Sequence, residues 1–181
     1  MLIVNLFAGP GAGKSTLSAY IFARLKMAGV NSELVTEFAK DKVWEKNQVA
    51  LSNQVYVLGK QYYRIDRCAD KVDVVITDSP IVLSPLYNKD KTLDKPLSDL
   101  ARTIHYKYDS LNYFLKRVKA YNPVGRLQTA DEAKKIDDDV KKILADFNIS
   151  YSEVLGNLES ADIIVQKVLS YLEKKNGIIG N

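Results

Sequence analysis

Residues 2–16 read Leu-Ile-Val-Asn-Leu-Phe-Ala-Gly-Pro-Gly-Ala-Gly-Lys-Ser-Thr, an apolar run that breaks into a glycine turn and then into a helix-forming stretch. Few architectures accept that order. Leu2 to Phe7 has the continuous hydrophobicity of a strand covered on both faces, as in a parallel sheet. After the turn, Leu17, Ile21, Leu25 and Met27 mark an amphipathic helix that stops at Gly29. A glycine turn joining a buried strand to a helix start is the setting of a phosphate-binding loop. The turn fits G-x-x-x-x-G-K-[ST], with Ala8 in place of the first glycine.

The chemistry of that loop assigns its members. Gly9, Gly11 and Gly13 let backbone N–H groups turn inward around phosphate oxygens. The helix start adds its partial positive charge. Lys14 can reach the β- and γ-phosphates, and Ser15 offers a hydroxyl to Mg2+. Gly9, Pro10, Gly11, Ala12, Gly13, Lys14, Ser15 and Thr16 are therefore the expected cofactor contacts, with ATP and Mg2+ the expected cofactors.

Hydropathy predicts four more strands, at 32–37, 72–78, 113–118 and 151–155, with helices between them. A helix over 52–69 is expected to bury Val55, Leu58, Tyr62, Ile65 and Ala69, with Gln54, Gln61, Arg64 and Cys68 on a flanking face. Tyr56, Tyr62 and Tyr63 can offer a ring to stack on a base, but their helical spacing reads by default as core packing. Residues 81–98 read as mostly loop and 97–108 as helix. Thr129, followed by Glu132, reads as the capping box of a helix ending at Phe147. The last helix is expected over 160–174. Strands alternating with helices make an α/β chain with a parallel sheet and helices on both faces. At 181 residues, without repeat or linker, the chain reads as one domain.

Composition closes off other classes. Apolar content of 46% excludes a disordered chain, and a net charge of +4 does not by itself imply nucleic acid. One cysteine, Cys68, forms no internal disulfide and points to a reducing, cytoplasmic setting; it reads as a small buried residue. No apolar run approaches the ~20 residues of a membrane span. His105, the single histidine, has no ligand company and reads as structural.

Two acids end apolar strands. Asp78 can hold Mg2+, or cap the following turn at Ser79-Pro80. Glu37 can take a proton from an attacking hydroxyl, or cap the helix at Phe38. Lys40, one helical turn on, can meet a substrate phosphate or pair with an acid. The stretch 101–126 carries six Lys/Arg against one acid. Within it Arg126, in Gly125-Arg126-Leu127-Gln128, suits a cation closing on the γ-phosphate, with Arg117 as second candidate. Gln61 can read a nucleobase edge, beside Arg64, or face solvent.

The phosphate loop, Glu37-Phe38-Ala39-Lys40-Asp41, Asp78-Ser79-Pro80 and Gly125-Arg126-Leu127-Gln128-Thr129 together resemble the P-loop nucleoside and nucleotide kinase group, and more narrowly small phage-encoded P-loop kinase or ATPase proteins. The resemblance implies a three-layer P-loop NTPase fold, strand order 2-3-1-4-5, and a lid at about 119–130. In deoxynucleoside kinases a glutamate ending strand two is the catalytic base, which implies that role for Glu37. Those enzymes carry arginine directly after the strand-three acid, where Ser79 stands here. The expectation is an ATP–Mg2+ phosphotransferase, with Lys14, Glu37, Arg126 and Asp78 catalytic and Glu37, Lys40, Gln61 and Arg64 on the acceptor. The expected acceptor is a nucleoside, a nucleotide or a modified base in DNA, with no membrane partner; a homo-oligomer stays open. The rival is a nucleotide-dependent switch or DNA-associated ATPase without a small-molecule acceptor.

Overall fold

The computed structural model describes residues 1–118 and 129–179. Five strands form one parallel sheet: β1 (Leu2–Phe7), β2 (Ser32–Val35), β3 (Val74–Thr77), β4 (Asp109–Lys116) and β5 (Ser152–Leu155). Their order is β2-β3-β1-β4-β5, as the resemblance implies. Parallel neighbours need crossovers. Among the described residues six α-helices lie between strands, α1 (Lys14–Met27), α2 (Phe38–Trp44), α3 (Gln48–Ser52), α4 (Gln54–Asp66), α5 (Asp94–His105) and α6 (Ala130–Asp146), and α7 (Leu158–Ile179) follows β5.

The two-residue alternation of β1 sends its side chains to both faces. Leu2, Val4 and Leu6 pack with Leu17, Ile21 and Leu25 of α1 and Ile164, Val165 and Val168 of α7. On the opposite face, Ile3 packs with Leu58 and Ile65 of α4 and Ala101 and Ile104 of α5. Phe7 packs there with Phe114 and with Val140 and Leu144 of α6. Helices therefore cover both faces, and β1, buried throughout, is the central strand.

The structure corrects four local expectations. Residues 81–87 are a 3-10 helix, not open loop, and Ile81, Val82 and Leu83 are core; Pro80 and Pro85 disguised an apolar triplet. β4 starts four residues early, because Asp109 to Asn112 pair with β1 despite their polarity. The helix expected over 52–69 runs from Gln54 to Asp66; Ser52 ends α3, and Asn53 caps α4 by accepting from Tyr56 N at 3.0 Å. α4 buries Gln54, Val57, Leu58, Gln61 and Ile65, whereas Val55 is 48% and Tyr63 66% exposed. Thr129 and Glu132 form the expected capping box on α6. Cys68 is buried, and His105 is buried edge-on to Tyr106. The lid expectation at 119–130 lies, except for its last two residues, outside the described residues.

Candidate active site

In a parallel sheet all strands end on one edge, and ligands bind beyond that edge where the chain direction of crossovers reverses. Here β1 lies between β3 and β4, with crossovers leaving to either side. Four chemical groups follow the C-terminal ends of these strands: the phosphate loop after β1, Glu37 after β2, Asp78 after β3 and Arg117 after β4.

The loop has the backbone its glycines allow. Gly11 has φ 81° and Gly13 φ 95°, conformations that turn N–H groups inward and that side chains resist. Gly9 is needed for another reason: a Cβ there would meet the Ala133 carbonyl at 2.4 Å. Lys14 Nζ donates to Ala8 O at 2.8 Å and Gly9 O at 3.0 Å, which leaves a third ammonium proton for a phosphate oxygen. Ser15 and Thr16 are exposed at the first turn of α1.

Burial pushes the Lys14 ammonium below its ordinary pKa, against the opposing pull of Glu37 and Asp78. It pushes both carboxyls upward, with Lys14 offsetting part of the rise. Two desolvated acids and one desolvated cation thus lie within reach of one another's charge. Asp78 is 6% exposed, and its Oδ1 has no hydrogen-bond partner among the described residues. Such an orphaned oxygen is costly unless a ligand satisfies it. Mg2+ takes one or two carboxylate or hydroxyl oxygens alongside waters and phosphates. Asp78 and Ser15 fit that demand.

Glu37 occupies the N-cap position of α2, yet its side chain makes no capping hydrogen bond. A capping carboxylate would be favoured in its charged form by the helix start. The Glu37 carboxyl is instead held above the usual carboxylate range. Lys40 is exposed one turn on, and its charge reaches both Glu37 and Asp78.

Other expected contacts are differently employed. Gln61 is buried; its Oε1 accepts from Phe38 N at 2.8 Å and its Nε2 donates to Thr36 O at 3.4 Å. This buried amide, bonded to the backbone on both sides of Glu37, braces that corner. Arg64 donates to Thr36 O at 3.2 Å, pairs with Asp41 and lies over the Phe38 ring. It too holds the β2–α2 corner. Arg117 is bound to Asp137, Pro10 O and Ala133 O, so the structure presents it as a support of the loop and not a free cation. Arg126 lies outside the described residues.

Two residues went unread in the sequence. Asp137 binds the Gly9 amide and Arg117, but within Asp137-Asp138-Asp139 it looked like one more solvated acid. Tyr87 ends the 3-10 helix; burial, then Glu37 and Asp137, push its hydroxyl well above the ordinary tyrosine range, which sets it near both acids. A tyrosine closing an expected loop carries no sequence signal of that kind.

A five-stranded 2-3-1-4-5 parallel sheet with a phosphate loop after β1 and an acid after β3 is the P-loop fold in the arrangement that kinases use. The chain belongs to the AAA domain family, which it matches over residues 3–161. No curated protein matches it. Among solved structures it is similar to deoxyadenosine kinase from M. mycoides with bound dATP, at 16% identity and TM-score 0.59, covering 93% of this chain and 99% of that one. It is also similar to shikimate kinase from Bacteroides thetaiotaomicron, at 14% identity and TM-score 0.53, covering 95% and 98%. These likenesses concern the fold. Among the described residues no helix is long and apolar enough to cross a membrane.

Proposed function

We propose that this chain is an ATP–Mg2+-dependent phosphotransferase acting on a hydroxyl or phosphate of a nucleoside, a nucleotide or a modified base in DNA. The observation that carries this reading is Glu37. It is a desolvated carboxyl with a raised pKa, free of any capping bond, set beside Lys14 and Asp78 at the edge of the sheet. A carboxyl tuned upward is a stronger proton acceptor than an ordinary carboxylate. The P-loop fold shared with two proteins named as kinases supports the same reading.

In this reading the amides around Gly11 and Gly13 and the Lys14 ammonium hold the β- and γ-phosphates. Bound Mg2+ would supply charge neutralisation on those phosphates, with Asp78 and Ser15 holding it. Glu37 orients the acceptor hydroxyl and takes its proton as that oxygen bonds to the γ-phosphorus, while the bond to the β,γ-bridging oxygen breaks and ADP leaves. Lys40 meets an anionic acceptor, and Arg126 supplies a further cation to the transferring group. Gln61 and Arg64 keep Glu37 in place through the backbone of residues 36 and 38. The rival switch or DNA-associated ATPase would use the same carboxyl to polarise water. Incubation of γ-labelled ATP with panels of nucleosides, nucleotides and DNA oligomers separates them: a labelled organic product supports the phosphotransferase, whereas label released only as inorganic phosphate supports the rival.

A further inference from the structure

A cluster of four hydrogen bonds joins the phosphate loop to α6. Asp137 Oδ1 accepts from the Gly9 amide at 2.5 Å, and Oδ2 accepts from Arg117 Nε at 2.9 Å. Arg117 also donates through Nη1 to Pro10 O and through Nη2 to Ala133 O at 3.0 Å. Both side chains of the ion pair are only 18% exposed. The packing is close as well: a Cβ on Gly9 would also lie 2.9 Å from Arg117 Nη2 and 3.0 Å from Asp137 Oδ1. From the inner side, Lys14 holds Ala8 O and Gly9 O. The arm Ala8–Gly9–Pro10 is thus gripped by Lys14 of α1 on one hand and by Arg117, just after β4, and Asp137 of α6 on the other.

We propose that Asp137 is a positioning residue for nucleotide binding, which holds Gly9 directly and Pro10 through Arg117, and so fixes the arm of the phosphate loop against α6. This rests on reading the loop as a nucleotide site. Each carboxylate oxygen is bonded to an amide or a guanidinium, so Asp137 acts through the loop and not on a ligand. A glycine-rich loop has more conformations to lose than any other segment, and a phosphate must meet the cost of ordering it. Fixing the arm beforehand removes that cost from binding. Arg117 cancels the charge that Asp137 would otherwise place near incoming phosphates.

Asp137→Asn keeps one acceptor but presents an N–H2 group, so it cannot serve Gly9 and Arg117 together. Titration of the whole chain with ATP–Mg2+ should show the dissociation constant rising about tenfold or more, as expected for a lost charge-assisted hydrogen bond. The Gly9 amide should exchange with deuterium faster than in wild type, without nucleotide present. Gly9→Ala keeps both charges and pushes α6 from the arm; it should weaken ATP binding likewise, and it carries the test if the asparagine variant does not fold. Wild-type protein that fails to bind ATP would overturn the nucleotide reading and this proposal with it. Wild type that binds, with folded variants of equal affinity, would overturn this proposal alone. Tighter binding by Asp137→Asn would also overturn it, because the carboxylate would then be competing with phosphate.

Discussion

Glu37→Gln removes one proton acceptor and changes almost nothing else in shape. The carboxyl stands at the start of α2 without a capping bond, and burial holds its pKa up, with Asp78 adding to the rise and Lys14 opposing it. Loss of a general base costs about 10²–10⁴-fold in rate, which is ~2.7–5.5 kcal/mol of transition-state free energy. Transfer to an acceptor should fall by that factor, while slow hydrolysis of ATP survives because Lys14 and Asp78 are untouched. Stability should move the other way. A carboxyl whose folded pKa lies above its unfolded one is charged at a cost at neutral pH, so the neutral amide should leave Tm unchanged or higher. A capping role predicts the opposite, a loss of up to ~1 kcal/mol, or about 2–4 °C in a chain of this size. The assay is the ratio of transfer to hydrolysis in mutant and wild type, with thermal denaturation alongside. An unchanged ratio with a lower Tm would refute the general-base reasoning.

Asp78→Asn should weaken nucleotide binding in the presence of Mg2+ far more than in EDTA, because the orphaned Oδ1 loses its charge; equal losses in paired titrations would point to a turn cap. Arg126→Ala should lower kcat by the equivalent of about 2–4 kcal/mol with little change in ATP affinity, and steady-state kinetics showing only a raised KM would contradict this. Asp66 is pulled down to about 2 by Lys107, then Tyr108 and Tyr62, and Glu153 to about 2 by Lys116 and Lys141. Folded values below the unfolded ones mean that this stabilisation is present above about pH 4 and is lost as pH falls toward 2. Tm measured from pH 5 to 2 should therefore fall less steeply in Asp66→Asn than in wild type.

What the sequence made legible was chemistry with a position attached. Gly11, Gly13 and Lys14 carry a spacing that almost no other turn needs, and Asp78 and Glu37 stand out as acids ending apolar strands. What it concealed depends on tertiary partners. The apolar residues of 52–69 suggested a stripe through Val55 and Tyr62, but the helix buries Gln54 and Gln61, the latter to serve the backbone around Glu37. Polar residues bound to a neighbouring backbone are invisible to hydrophobic periodicity. Arg117 suits phosphate in the sequence because nothing local reveals that Asp137, twenty residues away, holds it.

The fate of the terminal phosphate of ATP bears on the whole account most directly. Wild-type protein incubated with γ-labelled ATP, Mg2+ and the acceptor panel should move label onto an organic acceptor, and Lys14→Ala, folded with an unchanged Tm, should move none. Label appearing only as inorganic phosphate with every acceptor, or transfer that persists undiminished in folded Lys14→Ala, would contradict a phosphotransferase centred on this loop.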